Sequence, residues 1–317
     1  MRIIKGFRRC LKYTVLLILW AVLVHVLHGL TLDRIIQYVQ VQVSSPDFPR
    51  ELNTYRMAFL ADTQRMSDSQ LQRVIDRLNL LDLDVLLLGG DFSPSDGIYR
   101  RHLAMLIQVK TRDGIWGVEG NYDHSGILRE PAAYYGIELL NNRGIHLHPR
   151  FYLAGIEDLW HGRPNHEAAM AGYEAGDFVL FLAHNPDASM RFPSTDINLM
   201  LSGHTHGGQM TLFGLYAPFM DIERIPLINR RAPSDYGQRF VSGFAHADSG
   251  TLVYTSRGVW HERWFRLFAR PEVTIIELSY GQASHQVGTD WLDVMFWLSI
   301  ISLPIGAYSY RKIKRKA

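Results

Sequence analysis

Apolar residues are distributed along this chain in two ways: as two long runs near the ends, and as many short ones between them. The first long run, positions 13–32, extends from Tyr13 to Leu32 and is interrupted only by His25, His28 and a few small polar residues. About 20 residues at 1.5 Å each cross a hydrocarbon core of about 30 Å, so this run predicts a transmembrane anchor. A cleaved signal peptide competes with that reading. However, no small-x-small site follows, and the run continues into Asp33-Arg34-Ile35-Ile36 without a break. The second run, Trp291–Tyr310, predicts another span, with Trp291, Trp297, Tyr308 and Tyr310 suited to a membrane interface. Its Asp293 and Pro304 leave open an amphipathic helix packed on the folded body.

The short runs read as strands: Tyr55–Ala61, Val85–Leu88, Ile115–Val118, Phe178–Leu182, Ile197–Leu201, Phe240–Val241, Leu252–Thr255 and Val273–Leu278. Helical spacing fills the gaps between the first of them. Ser67-x-x-Gln70 forms a capping-box pattern ahead of Leu71, Val74, Ile75 and Leu78, and Ile98–Val109 carries Leu103, Leu106 and Ile107 on one face. Strands this short and apolar on both faces predict a sheet covered on both sides. Residues 54–280 therefore read as one α/β domain. Residues 33–53 read as linker and lead-in, with Pro46–Pro49 as the joint.

Charge sharpens this division. The formal charge is +2, yet the tail 1–12 carries Arg2, Lys5, Arg8, Arg9 and Lys12, and the tail 311–317 carries Arg311, Lys312, Lys314, Arg315 and Lys316, with no acid in either. Without those ten charges the remainder stands at about −8, which argues against a nucleic-acid-binding body. If both long runs span, the basic tails lie in the cytoplasm and the domain on the opposite face. A single cysteine, Cys10, excludes a disulfide scaffold, a Cys-rich zinc finger and an iron–sulfur protein.

Polar residues fall just after the strands. Asp62-Thr63-Gln64 follows the first, Gly90-Asp91 the second and Gly120-Asn121-Tyr122-Asp123 the third; His184-Asn185-Pro186-Asp187 and Gly203-His204-Thr205-His206-Gly207-Gly208-Gln209 follow the next two. In an α/β sheet such loops converge on one rim, where ligands bind. Each has an ordinary reading alone, as a cap, a turn or a hydrogen-bonded histidine. Together they offer oxygen and nitrogen ligands without thiolate, a mixture suited to Mn, Fe or Zn.

In this order the motifs resemble those of calcineurin-like metallophosphoesterases, with GHTHGGQ at Gly203–Gln209 the most specific of them. The resemblance covers about residues 54–280, including Leu153–Asp158 (LAGIED) and Thr255-Ser256-Arg257-Gly258. It is nearest to a bacterial membrane-associated subgroup that includes UDP-2,3-diacylglucosamine hydrolases of lipid A synthesis. The resemblance implies a four-layer α/β sandwich, flanked here by terminal transmembrane helices, with two divalent metals at strand carboxyl ends. It also implies that Asp62, Gln64 and His206 hold one metal, Asn121, His184 and His204 the other, and that Asp91 bridges them. Two such cations would acidify a shared water and hold phosphoryl oxygens for in-line attack.

The chain departs from the family pattern in instructive places. Gln64 replaces a usual histidine, and an amide oxygen favours a harder ion such as Mn²⁺ over Fe or Zn. Tyr122 stands where the family has a histidine that protonates the leaving group, and a phenol with a reference pKa near 10 is a poor donor at neutral pH. Tyr122, Asp123 and His124 are the candidate catalytic residues, with Tyr122 orienting phosphate and His124 either a substitute acid or a plain loop residue. Leaving groups that depart unprotonated, such as a nucleoside monophosphate, suit this site. Trp260, Trp264, Phe265, Leu267 and Phe268 with Arg263, Arg266 and Arg270 form either an interfacial patch for acyl chain and anionic head group or the core of a final hairpin.

The expected activity is thus hydrolysis of a phosphodiester or pyrophosphate bond in a lipid-linked substrate at the inner membrane, with UDP-2,3-diacylglucosamine as the specific case. An extracytoplasmic phospholipid phosphoesterase and a catalytically degenerate lipid-phosphate- or protein-binding member are the alternatives.

Overall fold

The short apolar runs fold into two sheets packed face to face. The computed structural model describes residues 2–64, 66–92, 96–123, 127–224, 231–260 and 266–314. In chain order its strands are β1 (Gln37–Ser45), β2 (Thr54–Leu60), β3 (Val85–Leu88), β4 (Ile115–Gly117), β5 (Glu138–Leu139), β6 (Arg143–His148), β7 (Phe151–Gly155), β8 (Phe178–Leu182), β9 (Leu199–Ser202), β10 (Gly243–His246), β11 (Leu252–Thr255), β12 (Glu272–Tyr280) and β13 (Ser284–Val287). The helices are α1 (Arg2–Leu30), α2 (Asp68–Leu78), α3 (Asp96–Leu106), α4 (Arg129–Tyr134), α5 (His166–Ala169), α6 (Ala188–Arg191) and α7 (Trp291–Lys314). One sheet has the order β13-β1-β12-β2-β3-β4-β5 and the other β10-β11-β9-β8-β7-β6.

Alternation along each strand builds three apolar layers. Met57, Phe59 and Ala61 enter the space between the sheets with Leu180, Leu182 and Leu201. Ala58 and Leu60 point outward, beneath Leu71, Val74, Ile75 and Leu78 of α2. The capping box that opens α2 is present, with Ser67 Oγ accepting from the Gln70 N–H and Gln70 Oε1 accepting from the Ser67 N–H. On the far face of the second sheet, Val179, Phe181 and Met200 lie under Ala169, Ala188 and Phe240, supplied by short helices and loops. The result is a four-layer α/β sandwich.

Two segments differ from the sequence reading. Phe240–Val241 is not a strand: Phe240 ends a 3₁₀ turn, Gly237–Phe240, and plugs the outer layer. Gly237 and Gly243, at φ 57° and 75°, break the extended path on either side of it. Residues 33–53 do more than lead in, because β1 pairs with both β12 and β13. Val39, Val41 and Val43 point into the core between the sheets while Gln40 and Gln42 face solvent. That period of two is the mark of a strand with one covered face.

α1 has 29 residues, about 44 Å at 1.5 Å per residue, and its central apolar stretch makes it long and apolar enough to cross a membrane. α7 is 24 residues long, and among its described side chains the apolar stretch is Trp291–Ser302.

Burying a valine is worth about 1.5–3 kcal/mol, so the three of β1 together match much of the roughly 5–15 kcal/mol that separates folded from unfolded domains. A chain beginning at Ile36 is expected to keep a cooperative thermal transition in circular dichroism, and one beginning at Pro46 to lose it.

Candidate metal centre

Five loops, following β2, β3, β4, β8 and β9, meet at one end of the sandwich and deliver the polar residues singled out by sequence. Asp62, Gln64, Asp91, Asn121, His184 and His204 are all buried, and His206 is nearly so. Oxygen and nitrogen atoms of Asp62, Asp91 and His184 lie within 4.8 Å of one another. Asp62, Asp91, His204 and His206 sit at φ 55°, 57°, 70° and 52°, a left-handed conformation that side chains other than glycine rarely adopt. Each costs about 1–3 kcal/mol, and such strain concentrates at functional sites.

Asp91 is the hub. Its Oδ2 accepts from Gln64 Nε2 at 2.8 Å and lies 3.4 Å from His184 Nε2, while its Oδ1 accepts from the Tyr122 backbone N–H at 2.8 Å. His184 donates from Nδ1 to the Gly89 carbonyl at 2.7 Å, which in the neutral ring turns the Nε2 lone pair inward. That Nε2 lies 3.1 Å from Asn121 Oδ1 and 3.3 Å from His204 Nδ1, and His204 Nδ1 lies 2.7 Å from the same Asn121 oxygen. His206 Nε2 approaches Asp62 Oδ1 at 3.8 Å. Two buried atoms, Asp62 Oδ1 and His206 Nδ1, have no hydrogen-bond partner. Converging acceptors with orphaned lone pairs call for a cation, and the mixture of carboxylate, amide and imidazole fits a divalent metal.

The electrostatics agree. Burial opposes charge on His184, but the neighbouring Asp91 and Asp62 carboxylates outweigh it and raise this histidine well above its ordinary range. Burial likewise opposes ionisation of Asp91, but His184 outweighs it and holds Asp91 at about 2. Burial pushes Asp62 up to about 7 and, with His184 adding to it, lowers His204 to about 3. The pocket thus draws positive charge to its centre.

Glycines set the spacing. A Cβ on Gly120 would lie 2.2 Å from Asp91 Oδ1, and one on Gly258, at φ 61°, would lie 2.5 Å from Asp62 Oδ2. Both carboxylates therefore rest directly on backbone.

The candidate catalytic residues separate in space. Tyr122 stands on the rim, 51% exposed, with its backbone tied to Asp91. Asp123 turns inward, away from the rim. It is fully buried, Oδ2 accepts from the Asp91 and Gly120 N–H groups at 2.6 and 2.9 Å, and Oδ1 accepts from the Phe92 N–H at 2.9 Å. Both oxygens are thus spent on the loop that carries Asp91. His124 lies outside the described residues, as do Arg263, Trp264 and Phe265.

The two described arginines of the expected lipid patch, Arg266 and Arg270, are committed elsewhere. Arg266 is fully buried, donating to the carbonyls of Trp260, Ala269 and Arg257 at 2.8, 2.9 and 2.8 Å, and burial lowers it to about 10. Arg270 is buried against Asp290 and lies 3.5 Å from Asp293.

Two tryptophans flank the cluster. Trp260 packs on His206 with ring centroids 4.7 Å apart, and Trp160 meets His204 edge-on at 4.5 Å, beneath the Arg231 guanidinium at 4.4 Å. Trp160 and Arg231 were not foreseen. The one signal was LAGIED, whose Asp158 accepts from the Trp160 and His161 N–H groups at 2.7 and 2.9 Å and so aims the indole.

Comparison with known proteins adds the family context. The family model for calcineurin-like phosphoesterases matches residues 55–208. Phosphodiesterase YaeI of Escherichia coli is 30% identical over 71% of this chain and 82% of its own length. An uncharacterized metallophosphoesterase of Bacillus subtilis, YkuE, is 28% identical over 70% of this chain and 76% of its own. A transmembrane protein with metallophosphoesterase domain from Danio rerio is 28% identical over 76% of this chain and 56% of its own.

Gly120→Ala is expected to displace Asp91 while leaving the sandwich folded. Bound metal, measured by mass spectrometry after dialysis against graded chelator, should reflect an affinity roughly 10–100-fold weaker, as for other changes just behind a metal ligand.

Proposed function

Because the chain belongs to the calcineurin-like phosphoesterases, we propose that it is a membrane-anchored, metal-dependent phosphohydrolase cleaving a phosphodiester or pyrophosphate bond of a lipid-linked substrate. The observation that carries this reading is a juxtaposition. The buried cluster around Asp91 opens beside Trp260, and the segment that continues from it packs Phe268 on His28 of α1, with ring centroids 3.9 Å apart. A relative named as a phosphodiesterase and another named as a transmembrane protein support the two halves of the reading.

In this reading Asp62, Gln64 and His206 would hold one divalent ion, Asn121, His184 and His204 would hold a second, and Asp91 would serve both. When bound, the ions supply Lewis acidity toward phosphoryl oxygens and make water a stronger acid. Gln64, which hydrogen-bonds Asp91 through its amide nitrogen, leaves only a neutral oxygen for the metal, which favours Mn²⁺. The remaining work falls to the chain. The glycine-seated carboxylates keep the cluster rigid. Trp160 and Trp260 wall it against water. Tyr122 offers a phenol to a non-bridging phosphoryl oxygen. Because a phenol gives up its proton reluctantly at neutral pH, substrates whose leaving group departs as a phosphate or nucleotide anion are favoured.

UDP-2,3-diacylglucosamine, in lipid A synthesis, is one such substrate and would require the domain on the cytoplasmic face. The basic tails favour the opposite placement and with it an extracytoplasmic lipid phosphoester. A reporter active only outside the cytoplasm, fused after Gly281, separates the two. Activity there eliminates the lipid A substrate.

Detergent-purified protein is expected to hydrolyse bis-p-nitrophenyl phosphate with added Mn²⁺, and Asp91→Asn to abolish that activity. No Mn²⁺-dependent hydrolysis by the unmutated protein would replace an enzyme with a binding protein. Gln64→His should shift the preferred ion from Mn²⁺ toward Zn²⁺ in metal titrations of the same assay.

A further inference from the structure

Downstream of the His204–His206 loop the chain makes a turn, residues 211–216, whose side chains face the wrong way for a soluble domain. It is an ordered turn. The Leu212 N–H donates to the Tyr216 carbonyl at 2.7 Å, the Leu215 N–H to the Leu212 carbonyl at 3.0 Å, and the Gly214 N–H to Thr211 Oγ1 at 3.0 Å. It is strapped to the neighbouring segment by the Thr211 N–H on the Leu267 carbonyl at 2.8 Å and the Leu267 N–H on the Gln209 carbonyl at 3.1 Å. So well-bonded a turn can bury apolar side chains, yet Leu215 is 88% exposed and Leu212 51%. An exposed apolar surface on an ordered element marks an interaction site.

The position of the turn identifies what covers it. Phe213, between the two leucines, packs against the helices at the chain ends. Its ring lies 4.3 Å from that of His25, 6.4 Å from Trp20 and 6.0 Å from Trp297, and its N–H donates to His25 Nε2 at 3.3 Å. Trp20 is ten residues before the end of α1 at Leu30, about 15 Å along the axis. The turn therefore lies alongside the apolar stretch of α1 and not beyond its end. Lipid that surrounds α1 also surrounds Leu212 and Leu215.

We propose that the 211–216 turn is a membrane wedge that inserts Leu212 and Leu215 into the lipid leaflet around α1, seating the Asp91 cluster at the bilayer surface so that a lipid phosphoester reaches it from the leaflet side. The insertion rests on this geometry and on the membrane anchoring proposed above; the access route rests also on the proposed activity. A cavity of about 190 Å³ joins the two regions, its lining including Gly207, next to His206, together with Phe213, Phe268 and Trp297. Covering acyl chains satisfy the leucines, and the phenol of Tyr216 suits the head-group level.

The test uses the full chain with Cys10→Ser, reconstituted in phosphatidylethanolamine and phosphatidylglycerol vesicles that carry spin-labelled lipids. An environment-sensitive fluorophore is placed at Leu215→Cys or, as control, at Tyr134→Cys, which is 81% exposed on α4. Blue-shifted emission and several-fold stronger quenching at 215 than at 134 is the expected result. Equal quenching at the two sites overturns the wedge, as does disulfide dimerisation through unlabelled Leu215→Cys, which would make a second copy the occupant. For access, Leu212→Asp with Leu215→Asp should lower hydrolysis of a vesicle-borne phosphodiester lipid roughly tenfold while leaving bis-p-nitrophenyl phosphate hydrolysis in detergent unchanged. Equal losses on both substrates overturn the access route. Inactivity of the unmutated protein on both substrates would defeat the proposed function, while the quenching result would still decide insertion.

Discussion

Two ionisable carboxylates buried a few ångströms apart impose the terms on which this molecule is built. Asp62 and Asp91 cannot both be charged in a dry pocket unless positive charge comes to them. The chain answers with the His184 ring, raised well above its ordinary range by the two carboxylates, with the amide of Gln64 on Asp91, and with the buried guanidinium of Arg266, whose charge acts on Asp62. The backbone gives way as well, through left-handed residues in the loops and through glycines that let carboxylate oxygens rest on main chain. The apolar sandwich, continuous from Val39 to Leu278, supplies the stability that this strained end consumes.

Much of this was legible in sequence, for a physical reason. Strands covered on both faces, such as Val85–Leu88 and Phe178–Leu182, appear as unbroken apolar runs and have the predicted bounds. β1 escaped because its outer face is bare, so that glutamines alternate with its valines and it resembles a tether. The metal-type residues were legible because each follows a strand and several are flanked by glycine. Residues whose role depends on convergence of distant loops were not. Trp160 and Arg231 meet only once two loops fold over His204. Asp123 looked like a rim residue because its neighbours are, yet its carboxylate turns inward to bind the Asp91 loop. Arg266 looked like surface charge, and only its three carbonyl partners reveal it as core.

The helices at the chain ends are clamped to the body and not merely tethered. His28 Nδ1 lies 2.8 Å from Asp33 Oδ2, and that side chain in turn accepts from the Phe268 and Ala269 N–H groups. Arg270 joins Asp290 and Asp293 at the start of α7. Phe268 stacks between His28 and Trp297, bringing the two helices to one point of the domain. Buried ion pairs of this kind add little net stability but select a single arrangement. Here the arrangement selected is the angle between domain and helix axis.

β1 lies between β12 and β13, with Gln37 opposite Glu272 at one end of the register and Ser45 opposite Tyr280 at the other. During synthesis β1 emerges before the other strands, yet it finds no partner until β12 has left the ribosome. Its valines must wait while the inner strands collapse on one another. Closure of the first sheet is then a late, long-range event, the kind of pairing that slows folding and exposes unpaired strand edges meanwhile. A ribosome stalled anywhere before Glu272 would leave a nearly finished sandwich open along one seam.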